Sequence, residues 1–187
     1  MAYVIGSVPT GLLVAKKRGV DLNKAGSGNI GATNVLRTTG KGAAIFTLAG
    51  DVLKGTAAAL IGRHFFPGNA YAEGIIGVCA ILGHDFSVFL KFRGGKGVAT
   101  SLGVLGIYSP LTALFTVILW LMTVLITKYS SLGALISFGL LPITMLCFDE
   151  KEKLPVAVFV TILLFIRHRD NIKRLAAGSE NRIGGGI

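Results

Sequence analysis

The sequence predicts an all-helical integral membrane protein, and three observations carry this prediction. The mean hydropathy is +0.69, and 52% of the 187 residues are hydrophobic. Only 15% are charged, whereas soluble domains usually carry about 25%. The apolar residues fall into seven runs, and the connections between them are rich in Lys and Arg. Strands are not expected, because these runs do not alternate and an open sheet edge cannot be left unpaired in lipid.

The seven apolar runs occupy residues 2–15, 43–66, 71–90, 98–108, 110–127, 130–148 and 154–166. The fifth and sixth are long enough to span a membrane, since about 20 helical residues cross a hydrocarbon core of about 30 Å. The fourth and seventh are predicted to be short, tilted or partly re-entrant helices. We therefore expect a single domain, residues 1–187, built as a bundle of about seven short transmembrane helices.

The distribution of positive charge predicts the orientation of this bundle. The connections 16–41, 91–96, 128–129 and 167–187 hold 15 of the 19 Lys and Arg residues. Positive residues stay on the cytoplasmic side, so the C-terminus is predicted to be cytoplasmic and, with seven crossings, the N-terminus outside. Every Gly-rich or basic connection then emerges on one face. The net charge of +10 therefore indicates orientation and anionic substrates, and no nucleic-acid partner is expected.

The first Gly-rich connection, GSGNIGATNVLR, is a candidate anion site. Its glycines allow backbone N–H groups to turn toward an anion, and polar side chains add neutral donors. The candidate residues are Ser27, Gly28, Asn29, Thr33 and Asn34. Arg37 follows Thr33 by one helical turn and offers a guanidinium fork for phosphate. The alternative is a flexible loop with a helix cap. The glycines also match G-x-G-x-x-G, but no strand precedes them, so a dinucleotide site is not expected.

The second candidate site is FRGGKGVAT, in which Arg93 and Lys96 flank Gly94 and Gly95 directly before an apolar helix. Backbone N–H groups, a helix N-terminus and two cations would then face one anion. The segment is not a P-loop, because Leu90 stands where the first glycine of that motif would be. The alternative is a plain cytoplasmic anchor of positive charge.

The third candidate site is the C-terminal segment RHRDNIKRLAAGSENRIG. On a helix Arg167, Asn171 and Arg174 share a face, as do His168 and Asn171. The alternative is a basic amphipathic tail that lies on anionic headgroups.

Two charged residues, Asp51 and Lys54, interrupt the second apolar run. Charges inside a membrane are costly, so they are expected either to pair with each other or to face a polar cavity, where Lys54 would contact a substrate. Both interpretations remain open at this point.

Several chemistries are disfavoured by the sequence. The H-x-x-x-x-D motif of many glycerolipid acyltransferases is missing, since the fifth residues after the three histidines are Asn69, Phe89 and Lys173. The carboxylates do not cluster as a metal-dependent phosphotransferase requires. No Cys-His pair or G-x-S-x-G nucleophile is present. We therefore expect neither a metal, nor a cofactor, nor a covalent enzyme intermediate.

The segments AKKRGVDLNKAGSGNIGATNVLRTTGK, DVLKG, GHDFSVFLKFRGGKGVAT, KYSSLG and RHRDNIKRLAAGSENRIG together resemble the bacterial acyl-phosphate-dependent glycerol-3-phosphate acyltransferases. The resemblance covers the basic connections of nearly the whole chain, in the order and spacing of the family. It implies a multi-pass enzyme of the bacterial inner membrane with its active site on the cytoplasmic side. It also implies transfer of a fatty acyl group from acyl-phosphate to glycerol-3-phosphate, giving lysophosphatidic acid and phosphate for phospholipid biosynthesis.

The resemblance also implies roles for particular residues. Those that match phosphate-handling positions of the family are Ser27, Gly28, Thr33, Arg37, Lys96, His168 and Asn171. Acyl-phosphate is already activated, so the enzyme has only to align it with a hydroxyl and stabilise the developing charge. The proton goes to a substrate phosphate oxygen, to His168 or to Ser131, and the sequence does not decide among them. The apolar acyl tail would lie between helices.

Two other functions remain as alternatives. A small organophosphate or anion transporter would usually show an inverted repeat and a binding site at the midplane, and neither is visible. A non-catalytic scaffold would recruit anionic lipid or a partner to the basic face. The expected partners of the enzyme are its two substrates and membrane lipid, and a soluble enzyme that produces acyl-phosphate is a candidate partner. The oligomeric state is open, and a monomer is compatible with the sequence.

Overall fold

The structure, a computed structural model, describes residues 1–184, and this part of the chain is helical and contains no strand. The helices are α1 (Ala2–Ser7), α2 (Thr10–Lys16), α3 (Ala32–Thr39), α4 (Lys41–Phe65), α5 (Ala70–Asp85), α6 (Val98–Tyr108), α7 (Pro110–Thr127), α8 (Ser130–Gly139), α9 (Leu141–Phe148), α10 (Leu154–Arg167) and α11 (Arg169–Ala176). Short 3₁₀ turns lie at Val88–Leu90 and Lys151–Lys153. The all-helical fold class predicted from the sequence is confirmed.

Two of the predicted apolar runs are broken. The first divides into α1 and α2 at Pro9, and the sixth divides into α8 and α9, whose axes bend by 44°. Pro142 lies in the first turn of α9, where its missing N–H costs nothing but prevents α8 from continuing. A single straight span over residues 130–148 is therefore not what the chain forms.

Three helical segments are long and apolar enough to cross a membrane: Lys41–Phe65, Ala70–Leu90 and Pro110–Thr127. The bent pair of α8 and α9 makes a fourth if it is counted as one span. Helix α7 leaves many large apolar side chains exposed, among them Leu114, Ile118 and Leu125. Such an outward apolar face fits lipid, which is as apolar as leucine. The count of about seven crossings and the sides of the termini stay predictions.

The main core lies between α5, α6 and the helices α8 to α10. Its largest fully buried side chains include Tyr108, Phe138, Leu141 and Met145. A second, smaller core packs α2 and α3 and the connection between them against the start of α4, and its members include Ala15, Leu22 and Val35. This second core fixes the Gly-rich connection in place.

The connections collect at two ends of the bundle. At one end Thr33 Oγ1 lies 3.2 Å from Ser130 Oγ, and the Ile183 N–H donates to the Lys128 carbonyl at 2.8 Å. At the other end the Tyr108 hydroxyl donates to the Ala70 carbonyl, and Lys153 Nζ donates to the Tyr108 carbonyl, each at 2.9 Å. The Gly-rich and basic connections therefore share one end of the molecule.

Candidate active site

A cavity of about 310 Å³ opens at the basic end of the bundle. Three segments line it: the connection before α3, the loop before α6, and the end of α10 with α11. The lining residues are Ser27, Gly28, Asn29, Phe86, Gly94, Gly95, Lys96, Ile166, Arg167, Arg169, Asp170, Asn171 and Arg174. Four of these are cations and only Asp170 is acidic, so the cavity is suited to an anion.

The first wall is shaped by the buried amide of Asn34. Its Oδ1 accepts from the Ser27 N–H at 2.8 Å, and its Nδ2 donates to the carbonyls of Ala25 and Asn29 at 3.1 and 2.8 Å. Gly26 has a φ of +60°, and a Cβ there would lie 2.2 Å from Asn34 Oδ1. Asn34 therefore folds the connection around itself and presents Ser27 and Asn29 to the cavity.

The second wall is the loop that ends at Gly97. It begins with Lys91 and Phe92, two non-glycine residues in the left-handed region at φ 52° and 62°. Such strain of the backbone is common at functional sites and persists only where the surroundings impose it. Gly95 passes so close to His84 that a Cβ would lie 2.1 Å from His84 Nε2. The loop is thus pressed against the end of α5 and directs Lys96 into the cavity.

The third wall is α11, which is held by the carboxylate of Glu180. Glu180 Oε1 accepts from Ser131 Oγ at 3.0 Å and from Asn171 Nδ2 at 2.8 Å, and its Oε2 accepts from Arg174 Nε at 2.8 Å. Burial raises the pKa of this carboxyl, but the hydrogen bonds from Asn171, Arg174 and Ser131 outweigh it and hold the pKa below its ordinary value. Glu180 therefore stays ionised and orients Asn171.

Lys96 and Asn171 meet directly, since Lys96 Nζ donates to Asn171 Oδ1. Burial lowers the pKa of Lys96 to about 8, and the positive charges of Arg174 and Arg167 lower it further against the opposing effect of Glu180. An incoming dianion would supply the charge partner that Lys96 lacks. The Lys96 ammonium is therefore suited to bind a phosphate group.

His168 lies behind this pair and is 3% exposed. Its Nδ1 lies 2.9 Å from the Leu164 carbonyl oxygen, which can only accept, so Nδ1 carries a proton and Nε2 of the neutral ring is an acceptor. Burial and the positive charge of Lys96 lower its pKa to about 4. The ring is therefore neutral near pH 7.

Seven of the residues predicted as candidates line the cavity: Ser27, Gly28, Asn29, Gly94, Gly95, Lys96 and Asn171. His168 and Ser131 are buried and do not line it; Ser131 instead supports Glu180. Thr33 contacts Ser130, which ties α3 to α8. Thr33 and Ser131 therefore contact the neighbours that shape the site, not the cavity itself.

Three further predicted candidates, and Asn34 behind the first wall, are also outside the cavity lining. Arg37 Nη2 donates to the Asn181 carbonyl at 2.9 Å, while its buried Nε has no hydrogen-bond partner within residues 1–184. Arg93 is exposed. Lys54 Nζ lies 2.9 Å from Asp51 Oδ1 and donates to the Val8 carbonyl at 2.9 Å. Of the two interpretations left open for Lys54, pairing with Asp51 is the one that the structure shows.

The sequence did not identify six of the lining residues or Glu180 as site residues. The six are Phe86, Ile166, Arg167, Arg169, Asp170 and Arg174. The sequence placed Arg167 and Arg174 on the helix face of Asn171 in the third candidate segment, but it assigned neither of them a role. Glu180 was not identified, because its contacts with Asn171, Arg174 and the distant Ser131 depend on how the chain turns after α11. Within residues 1–184, no three His, Cys, Asp or Glu side chains lie close enough together to hold a metal ion.

Comparison with known proteins identifies the family. The model of the glycerol-3-phosphate acyltransferase family matches residues 1–178. A glycerol-3-phosphate acyltransferase of Rhodopseudomonas palustris (strain BisB5) is 50% identical over 186 residues, covering 98% of this chain and 93% of the relative. One of Geobacter sulfurreducens is 43% identical over 183 residues, covering 97% and 94%.

The structural comparison agrees. The crystal structure of PlsY, an integral membrane glycerol 3-phosphate acyltransferase, in its glycerol 3-phosphate form superposes with a TM-score of 0.93 at 39% identity, covering 98% of this chain and 92% of PlsY. Its lysophosphatidic acid form superposes with a TM-score of 0.90. With a family match along nearly its whole length, this chain belongs to the glycerol-3-phosphate acyltransferase family.

Proposed function

We propose that the chain transfers a fatty acyl group from acyl-phosphate to glycerol-3-phosphate, giving lysophosphatidic acid and inorganic phosphate. The observation that carries this proposal is a cavity in which four cations meet two Gly-rich loops at the end of an apolar bundle. Both substrates carry phosphate, and such a cavity can hold anionic groups side by side. The solved structures of PlsY in its glycerol 3-phosphate and lysophosphatidic acid forms support the same acceptor and product.

Alignment of the two substrates supplies most of the catalysis in this proposal. Acyl-phosphate is a mixed anhydride, so its carbonyl needs no further activation. Lys96, held by Asn171, faces the negative charge that develops on the carbonyl oxygen and on the departing phosphate. Ser27 and Asn29 hold the phosphate of glycerol-3-phosphate from the opposite wall. The N–H groups of Gly94 and Gly95, which the sequence predicted to face an anion, donate instead to the carbonyls of Asp85 and His84. Preorganised donors of this kind stabilise a transition state without reorganising during the reaction.

The proton of the attacking hydroxyl goes to a phosphate oxygen of a substrate. Of the side-chain alternatives, Ser131 donates to Glu180, and the pKa of His168 is about 4. A phosphate monoester has a second pKa of about 6, so a substrate phosphate is a stronger base than His168, which does not line the cavity. His168 supports this arrangement from behind the Lys96–Asn171 pair.

The acyl chain leaves the cavity between α5 and α10. Phe86 follows α5 and Ile166 lies in the last turn of α10, and both line the cavity. Ile166 is 55% exposed on the outer face of the bundle, so it leads from the cavity to the apolar surface. An acyl tail on this path stays in lipid while its carbonyl reaches Lys96.

The cavity faces the cytoplasm of a bacterial inner membrane in this proposal. The Lys and Arg residues concentrate at the end where the cavity opens, and positive residues stay on the cytoplasmic side. The same basic end offers a docking face for a soluble enzyme that produces acyl-phosphate. A transporter is not favoured, because the cavity lies at one end of the bundle and not at its midplane.

One assay tests the proposed function. Purified protein is incubated with acyl-phosphate and labelled glycerol-3-phosphate, with acyl-CoA as the control donor. Labelled lysophosphatidic acid is expected with acyl-phosphate and not with acyl-CoA. Product from acyl-CoA alone would refute acyl-phosphate as the donor. The absence of product with either donor would refute the proposed reaction. Lys96→Ala should lower kcat about 10²- to 10³-fold and leave a measurable activity, while Lys16→Ala, an exposed cation at the same end, should not lower it.

A further inference from the structure

The side chain of Arg167 is bonded to the backbone of the loop before α6. Its Nε donates to the Gly95 carbonyl at 3.0 Å, and its Nη2 donates to the carbonyls of Gly94 and Gly95 at 3.0 and 2.7 Å. Its guanidinium carbon lies 5.1 Å from the centre of the Phe86 ring, over which it stacks. Two donors of one planar group thus hold two consecutive carbonyls in a fixed orientation.

The same two glycines are held from the opposite side by α5. The Gly94 N–H donates to the Asp85 carbonyl at 3.1 Å, and the Gly95 N–H donates to the His84 carbonyl at 3.0 Å. The N–H and carbonyl groups of both residues are therefore all bonded, half to α5 and half to Arg167. A loop with no side chains of its own at these positions becomes a rigid bridge between α5 and α10.

Lys96 is the residue that follows this bridge. The orientation of its backbone is set by the Gly95–Lys96 peptide, whose carbonyl is the one that Arg167 holds with two donors. A lysine at position 167 would keep the positive charge, but an ammonium is a point donor and cannot hold both carbonyls in one plane. Arg167 therefore supplies two directed donors in one plane as well as a positive charge.

We propose that Arg167 is a positioning residue that acts through the Gly94–Gly95 carbonyls to aim the Lys96 ammonium at the reacting phosphate. This inference rests on the proposed function, because Lys96 is aimed at a substrate only if the cavity is the active site. Arg167 also lines the cavity, so direct binding of a substrate phosphate is the competing role. The two roles differ in whether the effect of Arg167 depends on Lys96.

A double-mutant cycle separates these roles, using kcat measured with acyl-phosphate and labelled glycerol-3-phosphate. Arg167→Lys is expected to lower kcat about 10- to 100-fold, because displacement of a catalytic group by about 1 Å can cost that much. In the Lys96→Ala background the same substitution should cost less than about threefold, since nothing remains to be aimed. The KM for glycerol-3-phosphate should change little. Arg18→Lys, an exposed Arg-to-Lys change at the same end, is the matched control.

Three results would overturn the inference. A kcat of Arg167→Lys equal to that of wild type would show that the paired Nε and Nη2 contacts with the loop are dispensable. An equal loss in both backgrounds would show that Arg167 acts on substrate or on the fold independently of Lys96. A rise in KM at unchanged kcat would assign Arg167 to substrate binding. If Arg167→Lys does not purify as folded protein, Phe86→Leu is used in its place, because it removes the ring over which the guanidinium stacks. The same double-mutant cycle with Lys96→Ala then distinguishes the two roles of Arg167. A wild-type protein without activity would instead overturn the proposed function.

Discussion

Replacing Lys96 by methionine should lower activity strongly without lowering stability, and this combination identifies Lys96 as a residue kept for function. Methionine has a similar length and fills the same space, but it carries no charge. Loss of one charge-assisted contact in a preorganised site typically costs about 2–4 kcal/mol of transition-state stabilisation. We therefore expect kcat/KM to fall by about 10²- to 10³-fold.

The expected change in stability follows from the pKa of Lys96. A shift from 10.5 to about 8 means that the folded protein at pH 7 loses about 3 kcal/mol by keeping this ammonium charged. Lys96→Met removes that loss, but it leaves Asn171 Oδ1 without its donor at a cost of about 1–3 kcal/mol. The variant should therefore be as stable as the wild type at pH 7, or more stable by up to about 2 kcal/mol.

The sign of the pH dependence provides the sharper test. Between pH 8 and 10.5 the unfolded wild-type chain binds more protons at position 96 than the folded one, so its stability rises with pH relative to the variant. Thermal unfolding in detergent at pH 7 and at about pH 9.5 should show the advantage of Lys96→Met shrinking by about 2 kcal/mol. The wild-type kcat/KM should also fall as pH rises through about 8.

Two outcomes would refute this reasoning. A large drop in the melting temperature of Lys96→Met at pH 7 would mean that the ammonium stabilises the fold. A stability difference that does not change with pH would mean that Lys96 has an ordinary pKa in the folded state.

Four further results are expected. Arg37→Ala should lower kcat/KM about 10-fold in the acyltransfer assay, because its Nη2 holds the Asn181 carbonyl next to Glu180, which orients Asn171; activity like that of wild type would show that this contact is dispensable. Lys54→Met should lower the unfolding free energy by about 3 kcal/mol, because it leaves a buried carboxylate without its partner, while the KM for glycerol-3-phosphate stays within about threefold. On a cysteine-free background, Arg18→Cys and Lys173→Cys should resist an impermeant thiol reagent in intact cells, and labelling from outside would reverse the proposed orientation. Activity should survive EDTA; loss on chelation that a divalent ion restores would show a metal requirement.

The sequence was sufficient for features that depend on short-range patterns. Hydropathy identified the helical runs, and the Gly-rich and basic segments identified the loops that line the cavity, because charge and glycine are read position by position. The 44° bend between α8 and α9 was missed, although Pro142 marks it. The apolar run 130–148 was continuous in hydropathy, and hydropathy does not detect the missing backbone N–H of a proline.

Features that depend on contacts between distant segments could not be predicted. Asn34 was expected to bind phosphate, but its amide is fully used by the loop that it supports. Lys54 was expected either to pair with Asp51 or to face a polar cavity, and the choice depended on how α2 and α5 pack against α4. The role of Glu180 depended on Ser131, Asn171 and Arg174 being brought to one point. Such roles follow from packing, which a single sequence does not record.

The position of Glu180 has a consequence for the synthesis of the enzyme. The carboxylate that fixes Asn171 follows α11, so it is synthesised after all of the helices that line the cavity. A nascent chain can insert all of its apolar helices and still lack the contact that orients the partner of Lys96. The site is therefore complete only after Glu180 has left the ribosome, and a product truncated before Glu180 lacks the contact that orients Asn171.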